Sequence, residues 1–228
     1  MFHVKHISLI REFFNSHPNL PPKSEKKVLD YLTLLLEERS VRKITSSSDP
    51  LVLTKEHIIP SMELGLKIDG ENHVDIGSGA GFPVVPMSII NPGKKFTLME
   101  PMKTRGVFLQ SLILKLKMDN VEFLQIRAED AARDSLYREK FDSVTARAVL
   151  PLVGSVELAL PLLKVGGSFY AQPGDSALSQ IELAKEKIQT LGGVIVENLD
   201  GLVVIQKSGP SPNKYPRNWK RIFKDSRA

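Results

Sequence analysis

The chain has 228 residues, 31 Lys plus Arg against 26 Asp plus Glu, no Cys, and 42% apolar residues. That length suits one domain with room for an appendage, and a chain of this size buries about 70% of its unfolded surface without staples. Missing Cys excludes disulfides, thiolate zinc sites and thiol nucleophiles, while the composition excludes disordered, collagen-like and coiled-coil classes. No apolar run nears the ~18 residues of a membrane span, and residues 1–27 lack the apolar core of a secretion signal. The expectation is a reduced, soluble, cytoplasmic protein that binds no membrane.

The first seventy residues read as helical. Lys5–Ser16 and Ser24–Glu38 carry apolar residues at helical spacing, split by the breaker His17-Pro-Asn-Leu-Pro-Pro22. Ser46-Ser-Ser-Asp-Pro50 is a polar loop, and a further helix is expected over Thr54–Leu66. From His73 short apolar runs alternate with longer amphipathic ones. Strands are expected at His73–Gly77, Lys95–Glu100, Val121–Ile126, Phe141–Val149, Gly167–Gln172, Gly193–Leu199 and Leu202–Lys207. Helices are expected between them at Pro83–Ile90, Lys103–Lys117, Glu129–Tyr137, Pro151–Leu163 and Ser176–Leu191.

Alternation of strand and helix predicts an α/β fold with a parallel sheet covered on both faces. The last two strands, joined by Asp200-Gly201, predict an antiparallel hairpin. Parallel strands finished in this way are the class I (Rossmann-like) methyltransferase sheet rather than the dehydrogenase one. The organisation expected is a helical N-terminal extension (1–70), a cofactor-binding domain (71–208) and a basic tail (209–228).

The charge is unevenly placed. Residues 205–228 hold seven basic groups and one acid, Asp225, so the rest carries 24 basic and 25 acidic groups. A near-neutral body with a cationic end points to a polyanionic partner, or else to a solvated, frayed terminus.

The sharpest motif is Val74-Asp-Ile-Gly-Ser-Gly-Ala-Gly-Phe-Pro83, which closes a strand and opens a helix. Gly77, Gly79 and Gly81 let the backbone approach a ligand and bare N–H groups, although three glycines also suit a tight strand-to-helix turn. The dinucleotide fingerprint needs a glycine where this chain has Phe82. G-x-G-x-G suits S-adenosylmethionine better, because no pyrophosphate needs cradling. Glu100, ending the second strand, can bind ribose hydroxyls, or be a surface acid. Glu129 and Asp130, after the third, can reach an adenine amino group, or simply begin a helix.

The methyl acceptor follows from chemistry. Attack on a pyrimidine carbon needs a Cys that is absent, and the fourth strand, Thr145-Ala-Arg-Ala-Val149, lacks the turn that handles exocyclic amines. Guanine N7 carries no proton, so its methylation needs no general base. No His lies between residues 74 and 176, and no catalytic or metal-ligating residue is assigned.

Val74–Pro83, Arg127-Ala-Glu129, Phe141-Asp…Ala146-Arg-Ala148 and Tyr215-Pro-Arg217 together resemble the glucose-inhibited division protein B family. Its members are bacterial methyltransferases acting on guanine N7 of small-subunit ribosomal RNA. The resemblance covers most of the chain from about Lys55 and implies an S-adenosylmethionine pocket. It places Gly77, Phe82, Ala128, Glu129 and Arg147 there; Arg147 is otherwise an ion-pair partner for Asp142 or Glu129. Three departures stand out: Lys43-Ile-Thr45 for Asn-Leu-Thr, Pro60 for an acid in His57-Ile-Ile-Pro-Ser-Met62, and Pro173-Gly174 for Lys-Gly. Within this reading the tail contacts RNA, Arg217, Lys220 and Arg221 on phosphates, Tyr215 and Trp219 on bases. The protein is expected to act as a monomer. A small-molecule methyltransferase and a non-catalytic adenosyl- or RNA-binding homologue are the rival readings.

Overall fold

The computed structural model describes residues 5–42, 45, 47–173, 177–199 and 201–227. Lys43, Ser46, Gly174 and Asp200, named above, lie outside the described residues. Helices α1 (Lys5–Ser16) and α2 (Ser24–Arg42) come first. Asp49 then caps α3 (Pro50–Leu53), its carboxylate accepting the Leu51 N–H at 2.8 Å. A π-helical turn (Thr54–Ile58) follows and leads into α4 (Ile59–Lys67). The helix expected from Thr54 therefore starts four residues earlier and is widened in its middle.

The sheet is built from β1 (Asn72–Ile76), β2 (Lys95–Met99), β3 (Val121–Leu124), β4 (Phe141–Arg147), β5 (Leu163–Gln172), β6 (Gly193–Leu199) and β7 (Leu202–Lys207). Its order is β3-β2-β1-β4-β5-β7-β6, with β1 to β5 parallel and the β6–β7 hairpin antiparallel. The order reverses between β1 and β4, which opens a crevice beyond their C-terminal ends, where open α/β sheets take ligands. Outermost strand β6 carries a bulge between Ile195 and Glu197.

Helices α5 (Val84–Ile90), α6 (Lys103–Lys115), α7 (Ala128–Ala131), α8 (Leu152–Ala159) and α9 (Ala177–Thr190) connect the strands. Pro83 is the N-cap of the first of these, its ring-fixed φ suiting a helix entry. Glu129–Tyr137 does not form the helix expected of it. Asp134 turns its carboxylate onto the Leu136 N–H at 2.9 Å, an Asx-type bond that competes with helix continuation, and Glu139 stands at φ 55°. Likewise Pro151–Leu163 is α8 followed by one 3₁₀ turn (Leu160–Leu162) before β5, which begins earlier than expected.

Two apolar clusters flank the sheet. One joins Ile10, Tyr31 and Leu35 of α1 and α2 to Met87 and Leu109 of α5 and α6; the other lies under α8 and α9. Polar bonds sew the N-terminal helices to the sheet layer: Ser24 Oγ donates to the Ile89 carbonyl, and Tyr31 Oη to that of Ala80 (both 2.9 Å).

The chain's end folds back as well. Ser211 and Pro216 are buried, and α10 (Trp219–Asp225) seats Ile222 in the second cluster. The basic tail is docked structure, not a frayed appendage.

Candidate functional site

A cavity of about 560 Å³ opens at the C-terminal ends of β1, β2 and β4, a size typical of small-ligand sites. Gly77, Gly79, Phe82, Glu100, Ala128, Glu129 and Arg147 all line it. Gly81 does not. Its φ is 97°, and a Cβ there would stand 2.7 Å from Val85 and 3.2 Å from the Tyr31 hydroxyl. Gly81 thus lets α2 close on the loop rather than meeting a ligand. Gly77, at φ 70°, has Val149 at 2.8 Å from any added Cβ, so substitution there strains backbone and neighbour together.

Glu100 is 2% exposed and organises the loop. One carboxylate oxygen accepts the Gly79 N–H at 3.0 Å, the other the Met102 N–H at 2.9 Å, with Arg105 3.8 Å away. Each oxygen keeps a second lone pair for hydroxyl donors such as those of a ribose. Glu129 lies across the cavity with Arg127 at 3.9 Å, and burial pushes its carboxyl above the usual range.

Asp75 lies beneath the loop, 1% exposed. Burial lifts its carboxyl to about 7, against the lowering effect of the Thr145 and Ser78 bonds. Its Oδ2 has no hydrogen-bond partner, while Oδ1 accepts the Thr145 hydroxyl at 2.5 Å. Behind Thr145 stands His73, bonded at Nε2 to the Thr145 hydroxyl (3.0 Å) and at Nδ1 to that of Ser143 (2.7 Å). Burial holds the His73 pKa at about 3, so the ring is neutral.

Arg147 projects from the end of β4 and pairs with neither Asp142 nor Glu129. Asp142 is taken by Lys164 at 2.8 Å and by the Asn72 N–H at 2.9 Å. Instead Arg147 Nη2 donates to the Glu56 carbonyl at 3.1 Å and to His57 Nδ1. Pro60 explains why that carbonyl is available. Proline has no N–H to return to the residue four back, which is Glu56. Burial and the Arg147 charge both lower the His57 pKa, which keeps Nδ1 an acceptor. The His57 ring packs on Phe82 with centroids 5.0 Å apart.

The sequence assigns His57 no catalytic role and allows it as a packing residue; the structure sets it against Arg147 and Phe82 in the cavity wall. The π turn brings it in from the preceding helical segment, and such turns recur at functional sites. Thr45 also lines the wall, as does Trp219, which was expected on RNA bases.

The tail residues divide. Arg217 grips Glu157, buried in α8, through Nη2 and Nε (both 2.8 Å), and reaches Asp225 at 2.5 Å. It is therefore not available to phosphate, which corrects the expectation drawn for it. Tyr215 is half-buried with Lys187 4.8 Å and Lys214 5.4 Å from its ring centre, so it does not offer an open face to a base. Lys220 and Arg221 are exposed on α10. Among the described residues no cluster of His, Asp and Glu could hold a metal ion, and no helix is long and apolar enough to cross a membrane.

This sheet, with its glycine loop and paired strand-end carboxyls, is the fold of the class I methyltransferases. Solved structures agree on the fold. A protein from Corynebacterium glutamicum superposes with a TM-score of 0.56 at 15% identity, covering 89% of this chain and 97% of that one. An S-adenosylmethionine-dependent methyltransferase from Aquifex aeolicus gives 0.53 at 16%, covering 72% and 97%.

The chain belongs to the GidB family, rRNA small subunit methyltransferase G, whose model matches residues 24–203. A ribosomal RNA small subunit methyltransferase G of Desulfitobacterium hafniense is 36% identical over 197 residues, 82% of each chain. That of Lactobacillus helveticus is 41% identical over 159 residues, 65% of this chain and 66% of its own.

Proposed function

We propose that this chain transfers a methyl group from S-adenosylmethionine to N7 of a guanine in 16S ribosomal RNA. The observation that carries the reading is the single cavity wall shared by Gly77, Gly79, Glu100, Glu129 and Arg147, in a chain of this family. Bound there, S-adenosylmethionine supplies a methyl group on a cationic sulfur. The residues present fit it. Glu100 would accept from the ribose hydroxyls, the Ala128–Glu129 segment would hold the adenine, and the Gly77–Gly79 backbone would hold the methionine part.

Guanine N7 offers its own lone pair, so the protein's work is positioning and exclusion of water. Arg147, held by Glu56 and His57, presents a fixed cation at the mouth to a phosphate or to the guanine carbonyl. Lys220 and Arg221 meet the RNA backbone beside the same mouth. The enzyme works as one copy, in the cytoplasm where ribosomal subunits mature.

The deciding assay incubates the protein with unmodified 16S rRNA, free or in small subunits, and labelled S-adenosylmethionine. Nuclease digestion and mass spectrometry are expected to find the label on guanine N7. Label on protein, or none on RNA, overturns the reading and promotes one of its rivals.

A further inference from the structure

Helix α10 has two faces with different neighbours, and it lies beyond the residues that the family model matches. On one face Trp219 forms part of the cavity wall, beside Ala128 and Leu158, with the Arg127 guanidinium 5.4 Å from its ring centre. On the other, Lys220, Arg221 and Lys224 are exposed. The helix's own acid, Asp225, is drawn back onto Arg217, which leaves the outer face cationic.

A helix of seven residues does not hold its shape unaided. Here it rests on the buried Ile222, on the Asn218 side chain accepting the Arg221 N–H at 3.0 Å, and on the Arg217–Glu157 pair at its root. Anything that binds either face of α10 favours the docked helix, and so favours whatever binds the other face.

We infer that α10 couples the two substrates of this site. Trp219 contacts the bound cofactor from the Ala128 side, and rRNA phosphates on Lys220, Arg221 and Lys224 clamp that contact shut. The inference rests on the methyltransferase reading above. Each ligand then strengthens the other's binding by the same factor, and the loaded enzyme is the form that holds RNA.

The chain's one tryptophan makes the contact directly observable. S-adenosylhomocysteine, which cannot turn over, is titrated into the full chain while Trp219 fluorescence is recorded, with and without a 16S rRNA transcript; calorimetry supplies the same affinity independently. Expected are a change in Trp219 emission on binding, and affinity for S-adenosylhomocysteine ~5-fold or more tighter with RNA present, within the usual range of such couplings. Trp219→Ala is expected to weaken S-adenosylhomocysteine several-fold, while Trp219→Phe, which keeps an aromatic face, retains most of the affinity. A Lys220→Ala/Arg221→Ala/Lys224→Ala variant is expected to bind S-adenosylhomocysteine without the RNA enhancement.

Calorimetric binding with unchanged emission and an unaffected Trp219→Ala variant overturns the contact. Equal affinity with and without RNA overturns the coupling. No binding of S-adenosylhomocysteine under any condition overturns the methyltransferase reading itself.

Discussion

Asp75 is a carboxyl buried where its charge is disfavoured. A carboxyl raised from 3.8 to about 7 holds a proton in the folded protein at pH values where the unfolded chain has lost it. Its contribution to the stability of the cofactor-free protein therefore falls as pH rises from 3.8 to 7 and stays low above. Asp75→Asn removes that dependence. Urea unfolding at pH 5 and pH 8 is expected to show the variant gaining ~1–2 kcal/mol on the parent protein between them, the direction burial dictates. An equal difference at both pH values contradicts this. The motif announced Asp75 and its loop, but not the line of bonds behind it, because Ser143, His73 and Thr145 lie on two strands and meet only through their register.

At the scale of elements, α8 and the segment before α10 are tied by one buried ion pair. Glu157 is 1% exposed, and without the Arg217 side chain it keeps the backbone N–H of residue 217, at 2.8 Å, and Lys187, at 3.4 Å. Arg217→Ala is expected to cost ~2–3 kcal/mol, since the carboxylate stays buried after losing its guanidinium bonds, and to lower the melting temperature by roughly 5–10 °C. Burial pushes the Glu157 pKa up, but the Arg217 bonds and the Lys187 charge outweigh it and leave it below 4.5. The stability this pair supplies is present above pH 4.5 and is lost as pH falls through the lowered value. Melts between pH 7 and pH 3 are thus expected to show a shallower acid decline in Arg217→Ala than in the parent.

Elements were legible where periodicity is strong. The seven strands and the glycine loop appear in sequence because alternating and continuous apolar runs mark them, and the boundaries differ by only a few residues apart from the early start of β5. The shortened α7 and the π turn were not legible. One depends on a side chain, Asp134, choosing a local bond over the helix; the other widens a helix without changing which residues are apolar. A composition count likewise cannot tell an exposed Lys220 from an Arg217 committed to a carboxylate.

For the whole molecule, the N-terminal helices and the cofactor loop are one construction. Tyr31 is fully buried, its hydroxyl holds the loop at Ala80, and the missing side chain of Gly81 is what admits it. A chain beginning at residue 71 exposes the apolar surface that Ile10, Tyr31 and Leu35 cover. It is expected to lose sharp thermal unfolding and to bind S-adenosylmethionine at least ~10-fold more weakly, the effect of about 1.4 kcal/mol in binding. Circular dichroism melts and calorimetry on the fragment check this; full-strength binding by it refutes the dependence.

The bulge in β6 bears on how the protein behaves in a crowded cell. Val194 and Val196 lie on this outermost strand, 52% and 56% exposed, an apolar edge that invites another strand to add on. The irregularity between Ile195 and Glu197 breaks the straight row of backbone donors and acceptors that such an addition requires. An interruption one residue wide thereby guards the sheet against aggregation.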